Sequence, residues 1–341
     1  MAGGESRVVI GKANQTNEWL ALADEILAGH CLVVVDGGAR NKTWELPRLA
    51  PFCRVIGFEP NHAEYEKILA NATDLEMAGK LHDLPYRSIR YVDKALADRV
   101  GRATLNITRG AGASSLLEPN IELLVTMEYL FPYAKRFPDQ FQVVTREEVE
   151  TATLDTVAEN EKLECVDYLK LDTQGTEYEC LLGAETLLKE RRVGVIKTEV
   201  EFLPLYKGQH LFGDIDAHLR SHGFMLLDLV FDSRHKVIWS GHRMRADRGT
   251  LLFGDAYYTL TVPVQAELTP FRRMRHSLVL GELGFLDVAI ALIRSINLET
   301  RVDEVCRRLT YYLQQDRRTW KRKVKDRGKT VLSLMARILG E

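Results

Sequence analysis

The stretch Val33 to Trp44, VVVDGGARNKTW, decides how the chain is read. A β-branched run that ends in an acid and two glycines describes a buried strand opening onto a turn, and such turns usually face a ligand. A nicotinamide dinucleotide requires G-x-G-x-x-G there, so that a helix starts close to the pyrophosphate. Here Asp36 occupies the region of the first glycine, and no third glycine follows Gly38. No G-x-x-x-x-G-K-[ST] occurs at this turn, which excludes a Walker loop. An acid at the strand end instead suits a cationic ligand, and Gly38 lets the backbone approach it. A plain strand-turn with a capping aspartate stands as the alternative.

Working outward, Glu59 lies 23 residues after Asp36 and ends a second strand, RVIGFEP, from Arg54 to Pro60. It can accept both hydroxyls of a ribose, although nicotinamide enzymes place an acid there too. S-adenosylmethionine, with a sulfonium, an ammonium group and no phosphate, fits the pair of acids better than a nucleotide does.

The 341 residues are 45% hydrophobic and 28% charged with a net charge of −2, an ordinary globular composition. That balance argues against a general nucleic-acid field. Five cysteines (Cys31, Cys53, Cys165, Cys180, Cys306) form no C-x-x-C and are read as reduced residues of a cytoplasmic protein. Neither a signal peptide nor a membrane span is expected. The histidines are not expected to form a zinc site.

Strands and helices alternate along most of the chain. An amphipathic segment at 17–28 precedes a strand at 32–36, and a short helix is expected to lead into the second strand. HAEYEKILAN is helical, Ser88 to Val92 is a strand, and ATLNIT (Ala103 to Thr108) is a β-extension. Residues 110–142 read as an insertion near the site. VDYLKLD (Val166 to Asp172), a helix over 177–190, a strand over 193–202, a helix over 211–221 and FMLLDLVF follow, and Thr250 to Leu260 closes the pattern. This spacing predicts a doubly wound α/β sheet of Rossmann-like type, mostly parallel with an antiparallel closing strand, whose ligand sits at one edge. Beyond Pro263 only helical periods occur. The expected organisation is a domain over 1–262, including the N-terminal helix, and a helical C-terminal extension over 263–341.

In the second half, LKLDTQGTEYECLLGA puts Lys170 and Asp172 on one strand face by the period of two. Gly175 allows a sharp turn and Glu177 opens the next helix, where a carboxylate complements the dipole. The series VVVDGGAR, GFEPN, DKALADRVGRATLNIT, GASSLLEPN, VETATLDTV, VDYLKLDTQGTEYECLLGA, EVEFLPLYKGQHLFGDIDAHLRSHGF and LLFGDAYY, in this order, resembles the FkbM-type S-adenosylmethionine-dependent methyltransferases. The resemblance covers residues 32–260. It implies a class I methyltransferase fold, S-adenosylmethionine as cofactor, a cofactor pocket lined by Asp36, Gly37, Gly38, Ala39, Glu59, Pro60 and Ala95, and Asp172 beside the transferred methyl. One branch of the family continues its first motif as Ala-Arg-Gly-Gly, whereas this chain has Ala39-Arg40-Asn41-Lys42. Lys42 is expected to point away from the cofactor, off the start of the helix.

Methyl transfer from a sulfonium needs an aligned nucleophile and, for a hydroxyl acceptor, a base. Asp172 is the first candidate, with Glu199 second, Lys170 in support, and His210 or His218 further out. Glu199 and Glu201 share a strand face. Pairing with Lys170 and arginines is the preferred reading of these acids, and Mg²⁺ at Asp172, Glu199 and Glu201 is the alternative. Ser114 and Ser115 lie in a loop that the resemblance puts near the cofactor or the acceptor. Tyr206, Lys207 and Gln209 follow the fifth strand, where an acceptor should sit. The expected acceptor is a small molecule or a glycan hydroxyl. An N-methyltransferase of peptides or amines and a degenerate binding module are the rival readings. The tail 317–329, RRTWKRKVKDRGK, with eight basic residues and one acid, is read as a helix packed on its own domain or, alternatively, lying on a membrane surface.

Overall fold

In the computed structural model, the described residues are 12–74, 83–126, 128–129, 137–231, 236–238, 249–296 and 308. The basic tail, Cys306 and part of the aromatic segment after 126 lie outside them. In chain order the elements are α1 (Lys12–Leu27), β1 (Leu32–Gly37), β2 (Cys53–Phe58), α2 (His62–Leu69), β3 (Ser88–Val92), β4 (Ala95–Leu96) and β5 (Gly101–Thr108). There follow α3 (Ile121–Leu124), β6 (Glu128–Tyr129), α4 (Phe137–Gln140), β7 (Val143–Ala152), α5 (Leu154–Asn160), β8 (Val166–Leu171), α6 (Glu177–Leu182), α7 (Glu185–Lys189) and β9 (Val193–Glu201). The last are α8 (Phe212–Ser221), β10 (Phe224–Val230), β11 (Lys236–Ile238), β12 (Thr250–Leu251), β13 (Phe253–Leu260), α9 (Val262–Ala266), α10 (Pro270–Leu283) and α11 (Leu286–Arg294).

Seven strands form the main sheet in the order β10-β13-β9-β8-β1-β2-β3. β13 runs antiparallel to both of its neighbours, and the pairings among β9, β8, β1, β2 and β3 are all parallel. Strands β1 and β8 are buried along their whole length, which explains why they read as continuous apolar runs without alternation. The strand order reverses between β1 and β8, and the C-terminal ends of these strands therefore open onto a crevice.

Three expectations are corrected. First, β5 does not extend the main sheet. It pairs with β7, which also pairs with β4, in a separate three-stranded sheet. β7 is exposed through most of its length, so VVTREEVETA carries no apolar period by which to recognise it. Second, the segment between β1 and β2 forms no α-helix. Asn41, Lys42 and Leu46 adopt φ of 67°, 67° and 52°, a left-handed backbone that a helix cannot use. Only a single 3-10 turn, Ala50–Phe52, precedes β2. Third, the helix expected over 177–190 is two helices, α6 and α7.

The chain divides into two compact units, His30–Glu267 and a second made of the residues before His30 with those from Leu268 onward. Thus α1 groups with α10 and α11 rather than with the sheet. Trp19, Leu22, Ala23, Ile26 and Leu27 are its buried stripe, spaced as one helical face. Cys53, Cys165 and Cys180 are buried free thiols, and Cys31 is a half-buried one. Among the described residues no helix is long and apolar enough to cross a membrane.

Candidate active site

The parallel register sets the site's central charges. Asp36 at the end of β1 stands opposite Lys170 of β8. The Lys170 ammonium lies 3.0 Å from Asp36 Oδ1, donates to the Gly38 carbonyl at 3.0 Å, and lies 3.6 Å from Asp172 Oδ2. Burial works against this cation, but Asp36 and Asp172 outweigh it and raise its pKa. Thr43 donates its hydroxyl to Asp36 Oδ2 at 2.6 Å. Asp36 is therefore a buried, fully engaged acid, whereas the side chain of Asp172 is 43% exposed.

Gly38 has φ of 84°, and a Cβ there would sit 1.9 Å from the Asp172 carbonyl oxygen. The close approach that requires glycine is thus to the β8 end rather than to a ligand. Glu59 is buried and accepts from the Asn61 amide at 2.8 Å. Burial, only partly offset by that hydrogen bond, pushes its carboxyl up to about 7.

These groups line a cavity of about 480 Å³, well within the range of small-ligand sites. Asp36, Gly38, Glu59, Pro60, Ala95, Ser114, Ser115, Lys170 and Asp172 all contribute to its wall. Trp44, 52% exposed, adds an indole. A second cavity of about 870 Å³ includes Glu199, Arg109, Phe141 and Phe253, and shares Arg40, Ala111, Gly112 and Gln174 with the first.

Gln174, which sequence reading passed over, joins the two. Its amide nitrogen donates to Asp172 Oδ1 and to Glu199 Oε2, both at 2.9 Å. The Tyr206 hydroxyl lies 3.2 Å from its amide oxygen and 3.0 Å from the Ala113 carbonyl. Gln174 has φ of 59°, so its place depends on the tight turn after β8. Glu177 fixes that turn by accepting from the Thr173 amide at 2.6 Å and the Gly175 amide at 3.0 Å. Burial pushes the Glu177 carboxyl up to about 7. The only signal for Gln174 was its position between two residues already singled out.

Other sequence candidates fall outside these cavities. Gly37 and Ala39 are buried behind the wall. Tyr206 is fully buried as the support of Gln174, and Gln209 accepts from the Tyr206 amide at 3.2 Å. Lys207 reaches Glu118 at 3.7 Å on the surface. Tyr206, Lys207 and Gln209 line neither cavity, because the chain turns there against the 113–120 segment. His210 stacks on Tyr178 and His218 meets it edge-on, also away from both cavities. Lys42 does not extend from a helix. It lines the first cavity with its ammonium held by Asn71 at 2.6 Å and Asp83 at 2.8 Å.

Glu199 is held by Gln174 rather than by Lys170, and Glu201 is buried with Oε2 lacking a hydrogen bond. Burial and neighbouring carboxylates raise both well above the usual carboxylate range. Asp172, Glu199 and Glu201 do not gather their oxygens as metal ligands within 4.8 Å of one another. Among the described residues the group that does is Glu185, His218 and His222. No zinc site is expected of the histidines from the sequence, yet His218 and His222 stand four apart across the end of α8.

A seven-stranded sheet with one inserted antiparallel strand, and a crevice edged by strand-end acids, form a Rossmann-like α/β fold with its ligand site at the strand ends. The family model for the methyltransferase FkbM domain matches residues 36–226, more than half of the chain, and the chain belongs to that family. It is an S-adenosylmethionine-dependent methyltransferase. Among solved structures, magnesium protoporphyrin IX methyltransferase (ChlM) from Synechocystis PCC 6803 with bound SAM aligns at 11% identity over 76% of this chain and 87% of that one, with a TM-score of 0.32. The methyltransferase domain of bacterial CtHen1-C aligns at 9% identity over 73% and 99%, with a TM-score of 0.31. EvdMO1 aligns at 12% identity over 77% and 45%, with a TM-score of 0.28. No curated protein sequence matches the chain.

The residues present fit the cofactor. A buried carboxylate with spare acceptor capacity, Glu59, faces a cavity of suitable size, and Asp172 offers an exposed anionic edge to a cationic group.

Proposed function

We propose that the protein methylates an oxygen, the hydroxyl of a sugar, glycan or secondary metabolite. The observation that carries this reading is the bridge Asp172–Gln174–Glu199, which links a carboxylate in one cavity to a carboxyl in the next. S-adenosylmethionine supplies an electrophilic methyl on its sulfonium. Glu59 would hold the ribose through its hydroxyls, with Pro60 and Ala95 as neighbouring wall. With the cofactor bound, Asp172 would take the proton of the acceptor hydroxyl as its oxygen forms the bond to the methyl carbon and the carbon–sulfur bond breaks, which would leave S-adenosylhomocysteine as a neutral thioether. Glu199, raised in pKa by burial and Asp172, faces the acceptor from the second cavity. Gln174 keeps the two carboxyl groups at a fixed separation, and Lys170 balances the charge of Asp36 and Asp172. Arg40 is occupied by Glu64 at 2.9 Å and Asp74 at 2.5 Å, so it shapes the boundary between the cavities instead of binding an anion.

The test is Asp172→Asn assayed with S-adenosylmethionine and a panel of hydroxyl acceptors. An oxygen nucleophile predicts a loss of about 10²–10⁴-fold in turnover, with cofactor binding retained. Retention of most activity would favour an amine acceptor, which needs no strong base. Failure of the unmodified chain to bind S-adenosylmethionine in calorimetry would favour a degenerate binding module.

A further inference from the structure

Away from both cavities, α7 and α8 bring three donor atoms together. His218 and His222 are spaced i, i+4, so their rings lie on one helix face with centroids 4.7 Å apart. The Nδ1 of His222 lies 3.0 Å from the His218 carbonyl and donates to it. That hydrogen bond leaves Nε2 with its lone pair directed outward, the arrangement that orients metal-binding imidazoles. His222 Nε2 is 3.3 Å from Glu185 Oε2, and His218 Nε2 is 3.8 Å from the same oxygen. All three atoms lie within 4.8 Å of one another.

The surroundings leave these atoms available. Lys189 holds the other carboxylate oxygen, Glu185 Oε1, at 2.9 Å. Glu185 Oε2 and His218 Nε2 are both buried atoms without a hydrogen-bond partner. The Tyr178 ring walls the site with an edge contact to His218 at 5.3 Å. Donor separations of 3.3 and 3.8 Å exceed an ordinary hydrogen bond of about 2.7–3.2 Å. They are close to the edge of a tetrahedron, roughly 3.3 Å, around an ion with bonds of about 2.0–2.1 Å.

We propose that Glu185, His218 and His222 bind a zinc ion through Oε2 and the two Nε2 atoms, with water as fourth ligand. The ion ties α7 to α8. Neither helix contributes to the walls of the two cavities, so the site is separate from methyl transfer.

The experiment uses the untagged full chain, stripped with chelator and titrated with zinc chloride by calorimetry, with thermal unfolding followed in parallel. One saturable equivalent and a rise in melting temperature are expected. His218→Gln and His222→Gln should each weaken zinc binding at least about tenfold. Glu185→Gln, a half-exposed position, provides a variant with little risk to folding. Cobalt added in place of zinc should give the visible absorption of a tetrahedral site, lost in the same variants. Absence of saturable binding, or binding that survives unchanged in the double histidine variant with native circular dichroism, overturns the proposal.

Discussion

At the residue scale, the proposed role of Glu59 on the ribose makes cofactor binding depend on pH. Its carboxyl titrates near 7 because the cavity wall has removed it from water. In the proposed mode the ribose hydroxyls bind the ionised form, so the affinity for S-adenosylmethionine should fall as pH drops below about 7. Glu59→Gln removes a charged acceptor worth about 1.5–3 kcal/mol, and affinity should fall about tenfold or more. The same variant should bind with a flat pH profile, which isothermal titration at several pH values between 6 and 8 would read. Asp172 has a different role, and its replacement should spare binding and remove turnover. The contrast between the two acids was legible in the sequence only in outline. Glu59 and Asp172 could be named from strand ends and spacing, but Asp36, the first acid to attract notice, is the one consumed by Lys170 and Thr43. Neither partnership is local, since Lys170 lies on another strand and Thr43 reaches back across the turn.

At the scale of elements, the junction of β1 with β8 sets the site's geometry. Gly38 passes so close to the Asp172 carbonyl that no side chain fits between the two strand ends. Gly38→Ala adds a left-handed backbone cost of about 1–2 kcal/mol and overpacking of about 1–3 kcal/mol. Thermal unfolding should register a drop of several degrees, and any protein recovered folded should have lost turnover, because Asp172 moves. The elements recognised from sequence are those with strong periods or buried runs: β1, β2, β3, β8, β9, α2 and α8 agree with expectation to within a few residues. The missed ones have physical reasons. β7 is stabilised by pairing with β5 while its side chains face water, so no hydrophobic pattern marks it. The helix expected after β1 is replaced by a turn whose anchors, Tyr91 on the Thr43 amide and Asn71 and Asp83 on Lys42, come from distant segments.

At the scale of the whole molecule, Glu59 and Glu177 in one compact unit and His276 in the other respond oppositely to acid. Glu59 and Glu177 titrate near 7 in the folded chain against 4.5 as the ordinary value. The folded state therefore holds more protons over that interval, and the stability these groups contribute is present at pH 4.5 and lost as pH rises through 7. His276 on α10 is buried with neither ring nitrogen hydrogen-bonded, and burial with Arg272 and Arg275 nearby pushes it down to about 3. Its unfolded form binds the proton first, so the stability tied to neutral His276 is lost as pH falls below 6.5. Amide hydrogen exchange, corrected for intrinsic rates, should quicken in 270–294 on going from pH 7 to 5, while β8 and β9 keep or gain protection. His276→Leu should remove the effect in the helices. Uniform loss of protection in both units would contradict this reading. A helical region beyond the sheet was foreseeable from periodicity, but the grouping of α1 with it needs contacts between the two ends of the chain, which periodicity does not encode.

The absence of a helix after β1 has a consequence for which ligands can compete at this site. Where a helix begins at the end of the first strand, its free amides and dipole attract anions, and a pyrophosphate or a stray sulfate is held there. Residues 38–49 present no such helix start, and the two cations of that stretch that line the cavity, Arg40 and Lys42, are already neutralised by Glu64, Asp74 and Asp83. Selection between cofactors of similar adenosine shape thus rests on the sign of the charge each carries beyond the ribose, with a sulfonium welcome and a diphosphate left without a counter-charge.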